Sequence, residues 1–190
     1  NNYVKKYIAE VKKSLELILK TQDIKLNQAV ELFCTTYFNN GIIYIFGTGH
    51  SHMIAEEGHF RAGGFAPICP ILSSSTMLHE SATFSSQIER TKGVASQLLD
   101  KYNLTSKDII IIISNSGVNQ APIEAALYAK KRKSKVIGIS SLKYSKKINK
   151  NKKLYQLSDL HIDNCGPRGD AIISVNKYKV APFSTIGGAA

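Results

Sequence analysis

The stretch DIIIIISNSGVNQ, Asp108 to Gln120, decides the fold of this chain. The five consecutive isoleucines Ile109 to Ile113 form an unbroken β-branched run, which is the pattern of a short strand covered on both faces. The run stops at Ser114-Asn115-Ser116-Gly117, residues that favour turns. From Gln120 to Lys133, the apolar residues Ile123, Ala126, Leu127 and Ala129 take helical spacing. Strand, tight polar loop and helix together make half of a βαβ unit.

The same order recurs on both sides. Ile42 to Phe46 is a second apolar run, leading through Gly47-Thr48-Gly49-His50-Ser51 into a helix that carries Met53, Ile54 and Ala55 and reaches about Ala62. Pro67 to Leu72 reads as a strand, and Leu78 to Tyr102 as helical with a weak point at Gly93. Val136 to Ile139 is a fourth strand, followed by Ser140-Ser141. A polar lysine segment and a short helical piece, Leu154 to Leu157, lead to a fifth strand, Leu160 to Ile162, which ends at Asp163-Asn164-Cys165-Gly166. Strands that alternate with helices imply an α/β fold: a five-stranded parallel sheet flanked by helices on both faces, a flavodoxin-like three-layer sandwich with right-handed crossovers.

The ends complete the organisation. Tyr3 to Leu19 keeps helical spacing at Val4, Tyr7, Ile8, Val11, Leu15, Ile18 and Leu19, and a second helix follows with Leu26, Val30, Phe33 and Tyr37. Asn39-Asn40-Gly41 ends it. Thus residues 1–190 read as a single domain preceded by a helical segment over about residues 1–40. Ser184 to Ala190 reads as the cap and first turn of a further helix, cut short where the sequence stops.

With 190 residues, 43% of them apolar, the chain can bury a sizeable core, which excludes disorder, collagen and a disulfide-stapled miniprotein. No apolar run approaches the roughly 18 residues of a membrane-spanning helix, and the first thirty residues lack a signal-peptide pattern. Cys34, Cys69 and Cys165 show neither a pairing pattern nor metal-ligand spacing, so a reducing cytoplasm is the expected compartment and no metal is expected. The net charge is +11, and the stretch Lys130 to Lys153 accounts for all of it, with ten lysines, Arg132 and no acid. Such a run reads as a solvated helix-end face, as an attractor of an anionic ligand, or as a nucleic-acid surface. The last is disfavoured because Tyr144 is the only aromatic residue there for base stacking.

Ligands of open parallel sheets bind at the carboxyl ends of the strands, where helix N-termini offer N–H groups to anions. Three loops have that placement: Gly47 to Ser51, Ser114 to Asn119, and Ser140-Ser141. Their hydroxyls, amides and glycines suit phosphate and sugar oxygens. Other chemistries fit poorly. GTGHSH places His52 where a dinucleotide fingerprint needs a third Gly or Ala, and neither a P-loop nor a GxSxG elbow is present. No cofactor is expected. His50 and His52, two residues apart, are poor zinc partners.

The segments FGTGHSHMIAEE, RAGG, LHES, SNSGVNQAPIEAAL, KVIGISSL and DNCGPRGDA, in this order across nearly the whole chain, resemble the sugar isomerase (SIS) domain family. Within it, they resemble the bacterial proteins in which GTGHSH and SNSG are followed by the DNCGP loop. The resemblance implies phosphosugar binding and homodimers or tetramers that complete their sites across an interface. It leaves isomerase, lyase and binding module open. It assigns phosphosugar contacts to Ser114, Asn115, Ser116 and Gly117, and to Asn119, where many members carry Thr. In the first loop it points to Gly47, Gly49, His50 and Ser51, with His50 as a charge-bearing phosphate ligand or an acid. The Lys146 to Lys153 segment is shorter than in the relatives it resembles, which usually carry a Ser-Arg-His segment there.

Aldose–ketose isomerisation needs a base that moves a proton between adjacent carbons, commonly a glutamate in this superfamily. Glu80 in LHES, beside His79, follows the second strand closely and is the favoured candidate. Glu89 in QIERTKG lies more than two helical turns further on and also reads as a surface partner of Arg90 or Lys92. Glu56 and Glu57 precede Arg61, and a pair at four-residue spacing reads as a surface ion pair. The functional expectation is a cytoplasmic phosphosugar-binding protein, either a sugar-phosphate isomerase or related amino-sugar phosphate lyase, or a non-catalytic sensor. It is expected to form a homodimer through the apolar stripe of the first helix, with no membrane and no nucleic acid among its partners.

Overall fold

The computed structural model describes residues 2–189. Five parallel strands form the central sheet: β1 (Ile43–Gly47), β2 (Ile68–Pro70), β3 (Ile109–Ile113), β4 (Lys135–Ser140) and β5 (Leu160–Asp163), in the order β2-β1-β3-β4-β5. The isoleucine run sits at the centre, with Ile111 in register with Ile45 on one side and Ile137 on the other. Successive side chains of a strand point to opposite faces. Ile110 and Ile112 therefore join Tyr44, Phe46 and Val136 on one face, under α4 (Val94–Leu99), α5 (Gln120–Lys131) and α7 (Leu154–Leu157). Ile109, Ile111 and Ile113 join Ile43, Ile45 and Ile137 on the other, under α1 (Tyr3–Phe38) and α2 (His52–Glu57). Both faces are covered, so every residue of the run is buried. Each contributes about 1.5–3 kcal/mol by leaving water.

Several elements differ from the sequence reading, among them the helix after the first loop, which as α2 ends at Glu57 before Gly58 rather than near Ala62. The two N-terminal helices are one continuous α1 of 36 residues, because Lys20 to Lys25 contains neither Gly nor Pro to break it. Its midpoint is anchored by Gln22, 7% exposed, whose Oε1 accepts the Asp163 N–H at 3.0 Å at the end of β5. The long helix read from Leu78 to Tyr102 is instead α3 (Ala82–Ile88) and α4, separated by Gly93 at φ +91°. The carboxylate of Glu124, reaching over from α5, accepts the N–H groups of Gly93 and Ser96 at 2.9 and 3.1 Å, which caps α4 from another element. The second strand shortens to Ile68–Pro70 at the sheet edge, where a proline without an N–H is tolerated.

Beyond β5, the chain forms an antiparallel hairpin, β6 (Ala171–Val175) and β7 (Tyr178–Pro182), then α8 (Ser184–Ala189). The Asp170 carboxylate caps α8 by accepting the N–H groups of Phe183 and Ser184 and the Ser184 hydroxyl. Tyr7 donates to the Pro182 carbonyl at 2.9 Å and ties α1 to the hairpin. Short α6 (Leu142–Ser145) follows β4. Among the described residues, no helix is long and apolar enough to cross a membrane.

Candidate functional site

The chain leaves β1 for β2 on one side, whereas β3 leads to β4 on the other, so the order reverses between β1 and β3. In open parallel sheets such a switch point is where a crevice forms at the carboxyl ends of the strands. Residues 47–51 stand on one bank and residues 114–119 on the other. On the first bank the backbone doubles back so tightly that a Cβ at Gly47 would lie 2.5 Å from the Ser51 carbonyl oxygen, and only glycine fits. Ser51 is half-buried and Gly49 half-exposed, while His50 is exposed and lines a cavity of about 340 Å³ with Asp170 and Thr185 beside the hairpin.

On the opposite bank, Ser114 is buried, and its Oγ accepts the Gly117 N–H at 3.2 Å. Gly117 has φ +63°, and an added Cβ would meet the Ser140 Oγ at 3.0 Å. Its carbonyl accepts the Leu154 N–H at 2.8 Å, which joins the loop to α7. Asn115 is turned toward the DNCGP loop: Asn164 Nδ2 donates to its Oδ1 at 3.3 Å, and the Ser141 N–H to its carbonyl at 3.0 Å. Ser116 is half-buried. Asn119 precedes α5 but does not cap it; its Nδ2 donates to Glu89 Oε1 at 3.0 Å.

Glu89 is the group that spans the crevice. Its other carboxylate oxygen accepts the Thr48 hydroxyl at 2.8 Å, so one carboxylate joins the first loop to the second. Its own carbonyl also accepts the Ala121 N–H of α5 at 3.0 Å. The side chain is 16% exposed, and Arg90 Nη1 lies 3.3 Å from Oε1. The expected distance of Glu89 from the crevice is thus overturned. It assumed an unbroken helix from Leu78, whereas Leu78 to Ser81 is not helical and α3 ends at Ile88, which returns the chain to the sheet edge. Glu80 and His79 are both exposed and, within the described residues, make no contact with either loop through a hydrogen bond. The Glu57–Arg61 surface pair forms as expected.

The Ser140-Ser141 loop, though correctly placed at a strand end, is turned inward. Both residues are fully buried, with Ser140 Oγ 2.8 Å from His161 Nε2 and Ser141 Oγ donating to the Gly166 carbonyl at 2.6 Å. They brace the crevice from behind. Burial, aided by the Lys25 charge, pushes His161 down to about 4, so it stands neutral beside Ser140. His52 is likewise held below its ordinary value by burial. It is 1% exposed, its Nε2 accepts the Ser73 N–H at 3.4 Å, and its Nδ1 lies 3.2 Å from Glu56 without hydrogen-bond alignment. A buried imidazole thus fills the place where a dinucleotide fingerprint needs a small residue. Among the described residues, no group of three His, Cys, Asp or Glu could hold a metal ion.

An open parallel sheet of this order, with glycine and hydroxyl loops at the switch point, has the architecture in which α/β proteins hold small ligands. Residues 6–141 match the SIS domain model, and the chain belongs to the SIS domain family. It is 41% identical over 189 residues to a UPF0309 protein of Halalkalibacterium halodurans, covering 96% of this chain and 76% of that protein. Among solved structures, the phosphoheptose isomerase GmhA of Neisseria gonorrhoeae shares the fold at a TM-score of 0.66 and 20% identity, over 87% of this chain and 86% of that one. The sugar isomerase domain of an RpiR transcription factor from Sphaerobacter thermophilus shares it at 0.59 and 16% identity, over 100% and 86%.

Proposed function

We propose that this chain binds a phosphorylated sugar in the crevice between residues 47–51 and 114–119 and moves a proton between adjacent carbons of it, as a sugar-phosphate isomerase or related lyase. The Glu89 carboxylate, held between Thr48 and Asn119 at the switch point, is the observation that carries the reading. Membership of the SIS domain family and the fold shared with a phosphoheptose isomerase support it. In this scheme, Ser116, Ser51 and the N–H groups of the Ser114 to Gly117 loop receive the phosphate. Thr48 and Asn119 orient Glu89, which takes the proton from the carbon beside the carbonyl to give an enediol and returns it to the former carbonyl carbon, while the hydroxyl proton passes to the former carbonyl oxygen through water; in a lyase the same abstraction is followed by loss of the leaving group from the next carbon. His79 lines a cavity of about 360 Å³ with Gly49 of the first loop and His52, whereas Glu80 is exposed and would reach a bound sugar from the surface of this chain or of a second copy.

One observation favours a second reading, a non-catalytic sensor: both oxygens of Glu89 are already bonded, as in a latch between two loops. A thermal-shift screen of sugar phosphates, followed by deuterium wash-in from heavy water into each one that binds, separates the two. Binding with wash-in or with conversion of the sugar establishes proton transfer, and binding with neither supports the sensor. A screen in which no sugar phosphate raises the melting temperature sinks both, since a ligand at one hundred times its Kd adds about 2.7 kcal/mol.

A further inference from the structure

The basic stretch that sets the net charge is spread over several elements, and two parts of it lie at opposite ends of α5. At the carboxyl end of α5, Lys130 lies 3.5 Å from Asp159 and Arg132 3.8 Å from Asp100, and both also face the negative pole of the helix. Lys150 and Lys152 lie instead at the opposite end of α5. There, with Arg90, Lys92, Asn119 and Gln120, they line a cavity of about 660 Å³. Among the described residues, no carboxylate lines it. Arg90 is answered by Glu89 and by Ser86, whereas Lys92, Lys150 and Lys152 enter no ion pair among the described residues. Three like charges brought to one cavity repel one another unless an anion lies between them.

We infer that this cavity is a second anion-binding subsite, and that the ligand is a phosphosugar bearing a further phosphate or carboxylate; the inference rests on the phosphosugar reading above. Asn119 lines the cavity and also touches Glu89, so the subsite adjoins the crevice. Ser114, Ser116 and Gly117 do not line it, so it is separate from the phosphate loop. The volume lies within the range of small-molecule sites and exceeds what one phosphate needs. The three lysines come from two segments far apart in sequence, residue 92 between α3 and α4 and residues 150 and 152 before α7. Lysine acts as a flexible point charge, which suits phosphate without demanding one orientation.

The test is an amide NMR titration of the full chain with inorganic pyrophosphate. Saturable shifts are expected at Lys92, Asn119, Gln120 and Lys150 to Lys152. In the K92Q/K150Q/K152Q variant, whose spectrum should otherwise match the parent's because these side chains are exposed, affinity at those amides falls about tenfold or more, equivalent to about 1.4 kcal/mol. Shifts at Ser114 to Gly117 persist. Three results overturn the inference: no saturable shift at the cavity, undiminished affinity in the variant, or shifts spread equally over Lys143, Lys146 and Lys177. Cavity shifts without any at Ser114 to Gly117 would instead count against the phosphosugar crevice.

Discussion

Replacing Glu89 separates a chemical role from a structural one, because two substitutions at this position break different things. In Glu89→Gln, the amide oxygen can still accept from Asn119, and its NH₂ can donate to Thr48, whose hydroxyl is free to turn and accept. Two charge-assisted bonds become neutral ones, a loss of about 1 kcal/mol each, so stability should fall by about 1–2 kcal/mol. The Arg90 contact changes this little, since Arg90 is 59% exposed. In Glu89→Ala, both bonds disappear and two polar groups lose their partner, so the fall should be about 2–4 kcal/mol. For a chain of this size, 1 kcal/mol corresponds to about 2–4 °C in melting temperature. Urea unfolding and thermal melts measure these losses, and deuterium wash-in measures proton transfer on whichever sugar phosphate binds. Both variants should lose wash-in by about two to four orders of magnitude, while the Gln variant keeps most of its stability and its binding. Retained wash-in in Glu89→Gln would refute the assignment of Glu89 as base. A Gln variant as unstable as the Ala variant would refute the bonding scheme.

Further outcomes follow from other parts of the molecule. Changing Ser114 and Ser116 together to Ala should weaken phosphosugar binding about tenfold or more by calorimetry, with about 1 kcal/mol of stability lost at the Ser114–Gly117 bond. Gly117→Ala should cost about 1–2 kcal/mol in urea unfolding for its left-handed backbone alone, and more where the Cβ meets Ser140. His161, at about 4 in the fold against 6.5 unfolded, binds fewer protons folded. Its share of the stability is complete above about pH 6.5 and is lost as the pH falls toward 4. Between pH 7 and pH 5 this amounts to about 2 kcal/mol in the unfolding free energy from urea titrations, a dependence that His161→Gln should flatten and that a pH-independent parent would contradict. Val4, Leu19, Ile24 and Val30 of α1 are 58–75% exposed, and we expect a homodimer by sedimentation at micromolar concentration; a monomer would remove any shared site.

Much of the site was readable because its residues are local. Gly47 to Ser51 and Ser114 to Gly117 each follow a β-branched run directly, so knowing the strand places the loop. The hairpin of β6 and β7 escaped because Ala171 to Pro182 has neither a clean alternation nor a covered face: β6 has one buried residue and β7 none. Ser140 and Ser141 were correctly placed at a strand end, but burial turns them to His161 and Gly166 and away from the crevice. The Asn164–Asn115 and Gln22–Asp163 bonds join residues 49 and 141 positions apart, and no spacing rule announces such pairs.

By itself, the sequence determined the class of structure. Five isoleucines in a row form a strand wanted on both faces, repeated strand–helix alternation forces parallel pairing, and the motif order marks the SIS family. These are properties of neighbouring residues, set by steric preference and hydrophobic period. The tertiary structure alone decided which loops meet. Only the order β2-β1-β3-β4-β5 makes the Thr48 loop face the Asn119 loop, and only the break before α3 and its end at Ile88 bring Glu89 between them. The path of α1 as one helix, and the turn of Lys150 and Lys152 toward Lys92, were decided in the same way. Such contacts depend on how crossovers pack across the sheet, which is a balance of burial and geometry over the whole domain that no short window of residues contains.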